Sequence, residues 1–396
     1  MKLLSVDDAR ARMLAEIAAL PTERVALAQS LGRVLAEEVR AVRDQPPFPA
    51  SAMDGWAVRA ADAPGRLKIV GESAAGHGYA GKVGAGEAAR IFTGAAVPEG
   101  CDAVVIQEDA TRDGDDVTVP EVEAGNHVRP AGGDFKQDQI LLEPGARIDP
   151  WRLSLAASAG RAQIEVHRRP RVALLSTGEE IVEAPATPGR FQIYDSGAPA
   201  LAAMVAGWGA DVTRAKPIRD QLEAVIEAMR SADADLIVTV GGASVGDHDL
   251  VRAAAQALRM SYRVESVAVR PGKPTFFGVL GDGRRLLGLP GNPASAFVCA
   301  EMFLHPILNA YQGASPEPVT ISAKLAHDLP ANGPREHWMR AKLGYARGEV
   351  SVRPYRDQDS SLVSVFAASD ALLRRLAGAP AAAAGEVVEV LPLARA

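Results

Sequence analysis

The residues best suited to chemistry lie in three glycine-bearing segments, each placed at the end of a short apolar run. They are Ser176-Thr177-Gly178-Glu179-Glu180, Gly241-Gly242-Ala243-Ser244-Val245-Gly246-Asp247-His248-Asp249 and Gly288-Leu289-Pro290-Gly291-Asn292-Pro293. Glycine permits tight turns and lets backbone N–H groups come close to a ligand, so loops of this kind suit a phosphate or another oxyanion. A single Gly-rich turn between strand and helix is structural about as often as it is functional. Three at one edge of a sheet suggest one pocket. Carboxylates accompany them at Glu180, Asp220, Asp247 and Asp249, and acids beside an anion-binding loop are what a phosphate-bridging Mg²⁺ requires. The competing reading is that Asp220 and Asp249 each cap the helix that follows.

Arg270-Pro271-Gly272-Lys273-Pro274 sets two cations around a stiff turn. Alone it is a solvated turn; beside the glycine loops it becomes an anion clamp, with a planar fork from Arg and a compact charge from Lys. Two further segments stand out. Pro46-Pro47-Phe48-Pro49-Ala50-Ser51-Ala52-Met53-Asp54-Gly55-Trp56-Ala57 is too apolar for an ordinary loop and holds Asp54 after a rigid proline run, or else wraps a domain junction. In Ile91-Phe92-Thr93-Gly94-Ala95-Ala96-Val97-Pro98, Thr93 offers a hydroxyl beside a glycine turn, although taken alone a structural role suits it better.

The elements that must position these residues follow from periodicity. Near the N-terminus, Ser5 with Asp8 forms a capping pair ahead of Ala9, Met13, Leu14 and Ile17 at helical spacing, and a second helix is predicted around Ala26–Val39. From Asp44 to Arg147, short β-prone runs alternate with turn signals. Asp149 and Pro150 then open a helix. From Arg171, apolar strands alternate with helices, which implies a mostly parallel sheet covered on both faces. A helix runs from Pro293 to about Ala310, and the tail returns to short strands.

At 396 residues the chain is too long for one core. The expected division is a discontinuous helical N-terminal domain (1–43 and 145–168), a β-rich insertion (44–144), an α/β domain (169–312) and a C-terminal β domain (313–396). Against 49 acidic residues stand 43 basic ones, with no dense basic run, which argues against nucleic acid as partner. No run of eighteen apolar residues and no signal-like start occurs, so neither a membrane span nor export is expected, and the cytoplasm is the natural compartment. Cys101 and Cys299 are too few and too far apart for a disulfide framework or a zinc site.

In order, P-P-F-P-A-S-A-M-D-G-W-A-V (46–58), F-T-G-A-A-V-P (92–98), S-T-G-E-E (176–180), Q-I-Y-D-S (192–196), G-G-A-S-V-G-D-H-D (241–249), R-P-G-K-P (270–274) and G-L-P-G-N-P-A-S (288–295) resemble the molybdopterin molybdenumtransferase family, which includes the C-terminal domain of gephyrin. The resemblance covers essentially the whole chain. It implies an elongated subunit with a three-layer α/β molybdopterin-binding domain, a helical domain interrupted by a β-rich insertion, and a C-terminal β domain. It also implies a homodimer with clefts at the subunit interface, and a reaction of adenylylated molybdopterin with molybdate and Mg²⁺ that yields molybdenum cofactor and AMP.

By the same resemblance, Asp54, Thr93, Glu180, Asp220 and Asp249 are the catalytic positions, the first two approaching from the partner subunit. Glu180, Asp220 and Asp249 are the metal acids. Substrate contacts fall to Ser176, Thr177, Gly178, Gly241, Gly242, Ser244, Gly246, Arg270, Lys273, Pro290, Gly291, Asn292 and Pro293. Two positions depart from the family pattern: Gly133 stands where an acid is common, and Arg270 where Lys is also common. The rival functions are a gephyrin-like non-catalytic scaffold or diverged paralogue, and the preceding adenylyl transfer. Retention of every candidate acid favours the molybdenum-inserting enzyme over the first, and the extra domains favour it over the second.

Overall fold

The computed structural model describes residues 3–241, 249–346 and 348–393. Its surface measures 19570 Å², against about 15,000 Å² for a compact chain of this mass. The subunit is therefore elongated.

The α/β domain is built on six strands: β1 (Arg171–Ser176), β2 (Asp211–Arg214), β3 (Leu236–Val240), β4 (Ser261–Val264), β5 (Phe276–Val279) and β6 (Arg285–Leu289), in the spatial order β2-β1-β3-β6-β5-β4. The first four in that order run parallel, and β5 is antiparallel to both neighbours. Strand β3 is buried along its whole length, as expected for a parallel strand covered on both faces. Alternation along the strands divides the core in two. Leu174, Val238 and Leu287 pack with the helices Val6–Leu14, Gly197–Gly207 and the Pro293–Tyr311 run. Leu175, Ile237 and Leu286 pack with Val225 and Met229 of Leu222–Ser231 and with Val251, Ala254 and Ala255 of Leu250–Ala257. The result is the expected three-layer sandwich.

The N-terminal region departs from the helical expectation. Ser5 does cap a helix, accepting from the Asp8 N–H at 3.0 Å, but that helix buries Val6, Ala9 and Met13 in the α/β core. Over 26–39 only one short 3-10 turn forms, at Leu27–Gln29, and no α-helix. Thr22–Ala26 is instead a strand paired with Gln163–His167, and Gly32 adopts φ +77°, which a continuous helix cannot contain. The small core here joins Leu35, Val39, Leu142, Ile148, Ala156 and Val166, closed by the helix Pro150–Ser158, whose cap Asp149 accepts from the Arg152 N–H at 2.7 Å.

Val39–Arg40 pairs with Ile140–Leu142, and between them the chain builds a six-stranded sheet in the order 103–106, 55–58, 87–91, 65–73, 116–119, 111–113. At the other end, the strands Glu336–Ala346, Glu349–Pro354, Ile321–Leu325, Val387–Pro392 and Ala371–Arg375 each pair with the next, and the last pairs back to the first. That closes a barrel. Val269–Arg270 joins it from the α/β domain, parallel to Glu336 and His337.

A bidentate ion pair fastens the N-terminal region to the sheet. Both nitrogens of Arg168 donate to Asp235 at 2.8 Å, and the Arg171 backbone N–H donates to the same carboxylate at 2.8 Å. Burial works to raise the Asp235 pKa, but these donors outweigh it and hold it below the ordinary value. Replacing one partner of such a partly buried pair costs about 2 kcal/mol, so Asp235→Ala is expected to lower the urea midpoint measured by circular dichroism. The stabilisation should be present above the ordinary carboxylate pKa and be lost as pH falls through the depressed one.

Candidate active site

The three glycine loops meet. Ser176, Val240 and Leu289 are register partners at the carboxyl ends of β1, β3 and β6, so the segments that follow leave the sheet at one level. A Cβ on Gly241, which sits at φ +88°, would lie 2.7 Å from the Thr177 carbonyl oxygen, and one on Gly291 would lie 3.3 Å from the Gly241 Cα. Side chains at these positions would push the loops apart. The strand order reverses between β1 and β3, and open α/β sheets bind ligands at such a crevice.

At the first loop, Gly178 takes φ +137°, and a Cβ there would fall 2.6 Å from a Glu180 carboxylate oxygen. Glu180 thus folds over the glycine. Ile218 is drawn alongside by its N–H, which donates to the Ser176 carbonyl at 2.9 Å, and two residues on Asp220 accepts from the Glu179 N–H at 3.3 Å. Asp220 does not cap the next helix, whose cap is Gln221 without a side-chain bond. The Ser176 hydroxyl is buried with no protein partner. Loop one does not run directly into a helix: a short parallel ribbon, Ile181–Val182 with Ile193–Tyr194, intervenes.

Gly242, Ser244 and Gly246 lie outside the described residues. Asp249, where description resumes, caps Leu250–Ala257 by accepting from the Arg252 N–H at 2.9 Å, and its second oxygen pairs with Arg252 Nε at 2.9 Å. Capping therefore occurs at Asp249 and not at Asp220. Burial raises the Asp249 pKa, opposed by its bonds to Arg252. Among the described residues, no three His, Cys, Asp or Glu side chains form a ready cage for a metal. Mg²⁺ commonly takes only one or two protein carboxylates and completes its shell with phosphate oxygens and water. Glu180 and Asp220, hard oxygen donors gathered around the first loop, fit that mode.

The third loop reaches the barrel. Asn292 donates to the Ser360 hydroxyl at 2.8 Å, and the Ala294 N–H donates to the Ser360 carbonyl at 3.1 Å; Pro290 is buried and Pro293 opens the helix. Ser360 follows directly on a cavity of about 500 Å³ lined by Arg270, His337, Arg356, Asp359 and Arg375 among others. Burial, then the charges of Arg270, Arg340 and Arg335, push the His337 imidazole down to about 4, and its Nε2 is buried without a partner. Neutral His337 can donate to or accept from a ligand there. Lys273 is exposed at the end of the same turn. Beneath it a Cβ on Gly272 would come 2.1 Å from Cys299 Sγ, so Cys299, its thiol pushed up to about 12 by complete burial, is packing.

Sequence reasoning did not single out His337, Arg356 or Arg375, because the tail showed only strand periodicity. The charged run Arg353-Pro354-Tyr355-Arg356-Asp357 was the available signal.

Asp54 and Thr93 face each other in the insertion. Both the Thr93 N–H and its hydroxyl donate to one Asp54 oxygen at 2.7 Å. The Arg90 guanidinium lies over the Phe92 ring at 4.7 Å and donates to the Gly55 carbonyl at 2.9 Å. No hydrogen bond or ion pair among the described residues joins Asp54 or Thr93 to Glu180, Asp220 or Asp249 of the same chain. Gly133 lies beside Pro130 and carries no acid.

Fold and site define a multidomain α/β protein whose glycine-loop sheet edge is tied, through Asn292 and Ser360, to the neighbourhood of a cavity in a small barrel. Family models for the MoeA N-terminal region (domain I and II), a probable molybdopterin binding domain and the MoeA C-terminal region (domain IV) match residues 4–160, 173–310 and 322–393. The molybdopterin molybdenumtransferase of Haemophilus influenzae is 32% identical over 98% of each chain, and that of Staphylococcus aureus strain COL is 30% identical over 98% of this chain and 95% of its own. Two crystal structures of the molybdopterin biosynthesis MoeA protein of Pyrococcus horikoshii superpose over 99% of this chain, with TM-scores of 0.82 and 0.85 at 29% and 26% identity, and are themselves covered to 99% and 100%. The chain belongs to the molybdopterin molybdenumtransferase family, and with it to the transferases of molybdenum cofactor biosynthesis.

The Thr93 N–H, then its hydroxyl, hold the Asp54 pKa below the ordinary carboxylate value; burial opposes them, and the charge of Arg90 adds a smaller lowering. Thr93→Val keeps the N–H and removes the hydroxyl. The Asp54 titration, followed by carbon NMR, is expected to move up toward the ordinary carboxylate value in Thr93→Val and to stay in place in Thr93→Ser.

Proposed function

We propose that this enzyme inserts molybdenum into adenylylated molybdopterin, using molybdate and Mg²⁺ and releasing molybdenum cofactor and AMP. The observation that carries the reading is the continuity of the site. Three glycine loops crowd against one another at the sheet edge, and the third is tied through Asn292 and Ser360 to the basic cavity that holds Arg270. A substrate with a phosphoanhydride at one end and an oxyanion partner at the other needs such a continuous band.

In this reading the backbone amides and Ser176 bind the anhydride, Gly178 and Gly241 allow it to approach closely, and Arg270, His337 and Lys273 receive molybdate. Glu180 and Asp220 would hold Mg²⁺, and Asp249, held by Arg252, would face the substrate phosphates. When bound, the ion neutralises phosphate charge and polarises the anhydride. The dithiolene sulfurs that take molybdenum belong to the substrate, so neither cysteine is required. Asp54 and Thr93, joined to each other and to none of the other acids of their own chain, are assigned to the cleft of a second subunit in a homodimer.

The decisive assay is AMP release and molybdenum transfer from adenylylated molybdopterin on addition of molybdate and Mg²⁺. Wild type is expected to show molybdate-dependent release that Asp249→Ala abolishes; a folded wild type that binds substrate and releases nothing would instead be a scaffold. Gly241→Ala should lose roughly 10- to 100-fold in rate, since its Cβ displaces the loop that orients the substrate. Mixing inactive Asp54→Ala and Asp249→Ala subunits should restore about a quarter of wild-type activity, because half of randomly paired dimers carry one intact cleft of two. No recovery in subunits shown to exchange would overturn the shared cleft.

A further inference from the structure

Arg252 occupies an unusual position for an exposed-face helix residue. Three residues into Leu250–Ala257, it donates its backbone N–H to one Asp249 oxygen and places Nε 2.9 Å from the other. Its Nη2 donates to the Glu265 carbonyl at 2.8 Å and to the Pro274 carbonyl at 3.2 Å. The guanidinium carbon lies 4.3 Å from the centroid of Phe276 and 5.8 Å from that of Tyr262. One side chain therefore touches the last residue of the second glycine segment and the last residue of the Arg270–Pro274 turn.

We propose that Arg252 is a positioning residue that fixes the Asp249 carboxylate relative to the cation turn, and so sets the separation between the acids and the molybdate-receiving end of the site. The inference rests on the proposed function. Lysine cannot do the same work, because a single ammonium cannot face a carboxylate and two carbonyls on separate segments at once, whereas the guanidinium has donors on both edges of one plane. The arrangement also differs from an ordinary capping pair. A surface i,i+3 pair contributes little, but here the side chain of Asp249 is nine-tenths buried and that of Arg252 three-quarters buried, and the guanidinium sits over Phe276.

The test is a cycle of Arg252→Met, Asp249→Asn and the double variant in the full chain, with Arg252→Lys as the conservative comparison and circular dichroism to verify folding. Arg252→Met is expected to lower kcat roughly 10- to 100-fold with little change in KM, and Arg252→Lys to recover part of that loss. Measured in single turnover against the residual rate of Asp249→Asn, which keeps the size and one oxygen of the side chain, the same Met substitution should cost less than about 2-fold, because a residue acting through Asp249 has nothing left to position. Amide exchange at Thr275, in the turn that Arg252 grips, should accelerate about 10-fold in Arg252→Met and stay unchanged in Asp249→Asn. Equal losses in both backgrounds, an unaltered kcat, or unaltered exchange would each overturn the inference while leaving the proposed function intact. A wild type without turnover would overturn the function and this inference together. If Arg252→Met does not fold, Arg252→Lys decides: full wild-type kcat overturns the proposal, and a reduced kcat that Asp249→Asn masks supports it.

Discussion

The register of three parallel strand ends, Ser176 beside Val240 beside Leu289, is the constraint on which the site depends. Hydrogen bonding along a parallel ladder sets neighbouring strands at a fixed stagger, so loops that are far apart in sequence leave the sheet at the same height. Glycine then decides how closely they approach. At Gly241 and Gly291 the neighbouring backbone lies where a side chain would begin, and the space saved lets the loops pack backbone against backbone.

Around that edge, charge fastens the domains. Arg168 and Asp235 close the join to the N-terminal region, Arg147 bonds Asn309 in the Pro293–Tyr311 helical run and Gln312 at its end, and Arg374 links Glu336 of the barrel with Asp7 of the first helix. Arginine suits such joins because several donors on one rigid plane satisfy carboxylates and carbonyls together. Strand addition does the rest: Val269–Arg270 extends the barrel by pairing with Glu336 and His337, which brings a cation of the α/β domain to the rim of a cavity in another domain. The placement of Arg270 therefore depends on backbone hydrogen bonds rather than on its own side chain.

The two groups of acids experience opposite electrostatics. Asp54 is partly exposed and its charge is favoured by two donors from one threonine, while Asp249 has a largely buried side chain and its charge is opposed by desolvation and rescued by Arg252. An acid of the first kind stays ionised over a wide pH range. One of the second kind depends on its neighbour, and changes there propagate to it.

The sequence by itself determined the α/β sandwich, because runs such as Leu236–Val240 and the helical spacing of Val225 and Met229 are local patterns that burial leaves on a chain. It also determined which loops carry glycine and which residues carry charge. Other features only the tertiary structure decided. The stretch 26–39 has helical composition but folds otherwise, since Gly32 takes a left-handed turn and Thr22–Ala26 finds its strand partner at Gln163–His167; that partner lies far along the chain, and no local window contains it. His337 and Arg356 join Arg270 only because the barrel closes on itself and receives Val269–Arg270 at its edge. Asp249 and Asp220 looked alike in sequence, each an acid just before a helix, and were told apart by one contact each: Arg252 for the first, the Glu179 N–H for the second. Residue type is local information, whereas the partner that gives a charge its role is supplied by folding.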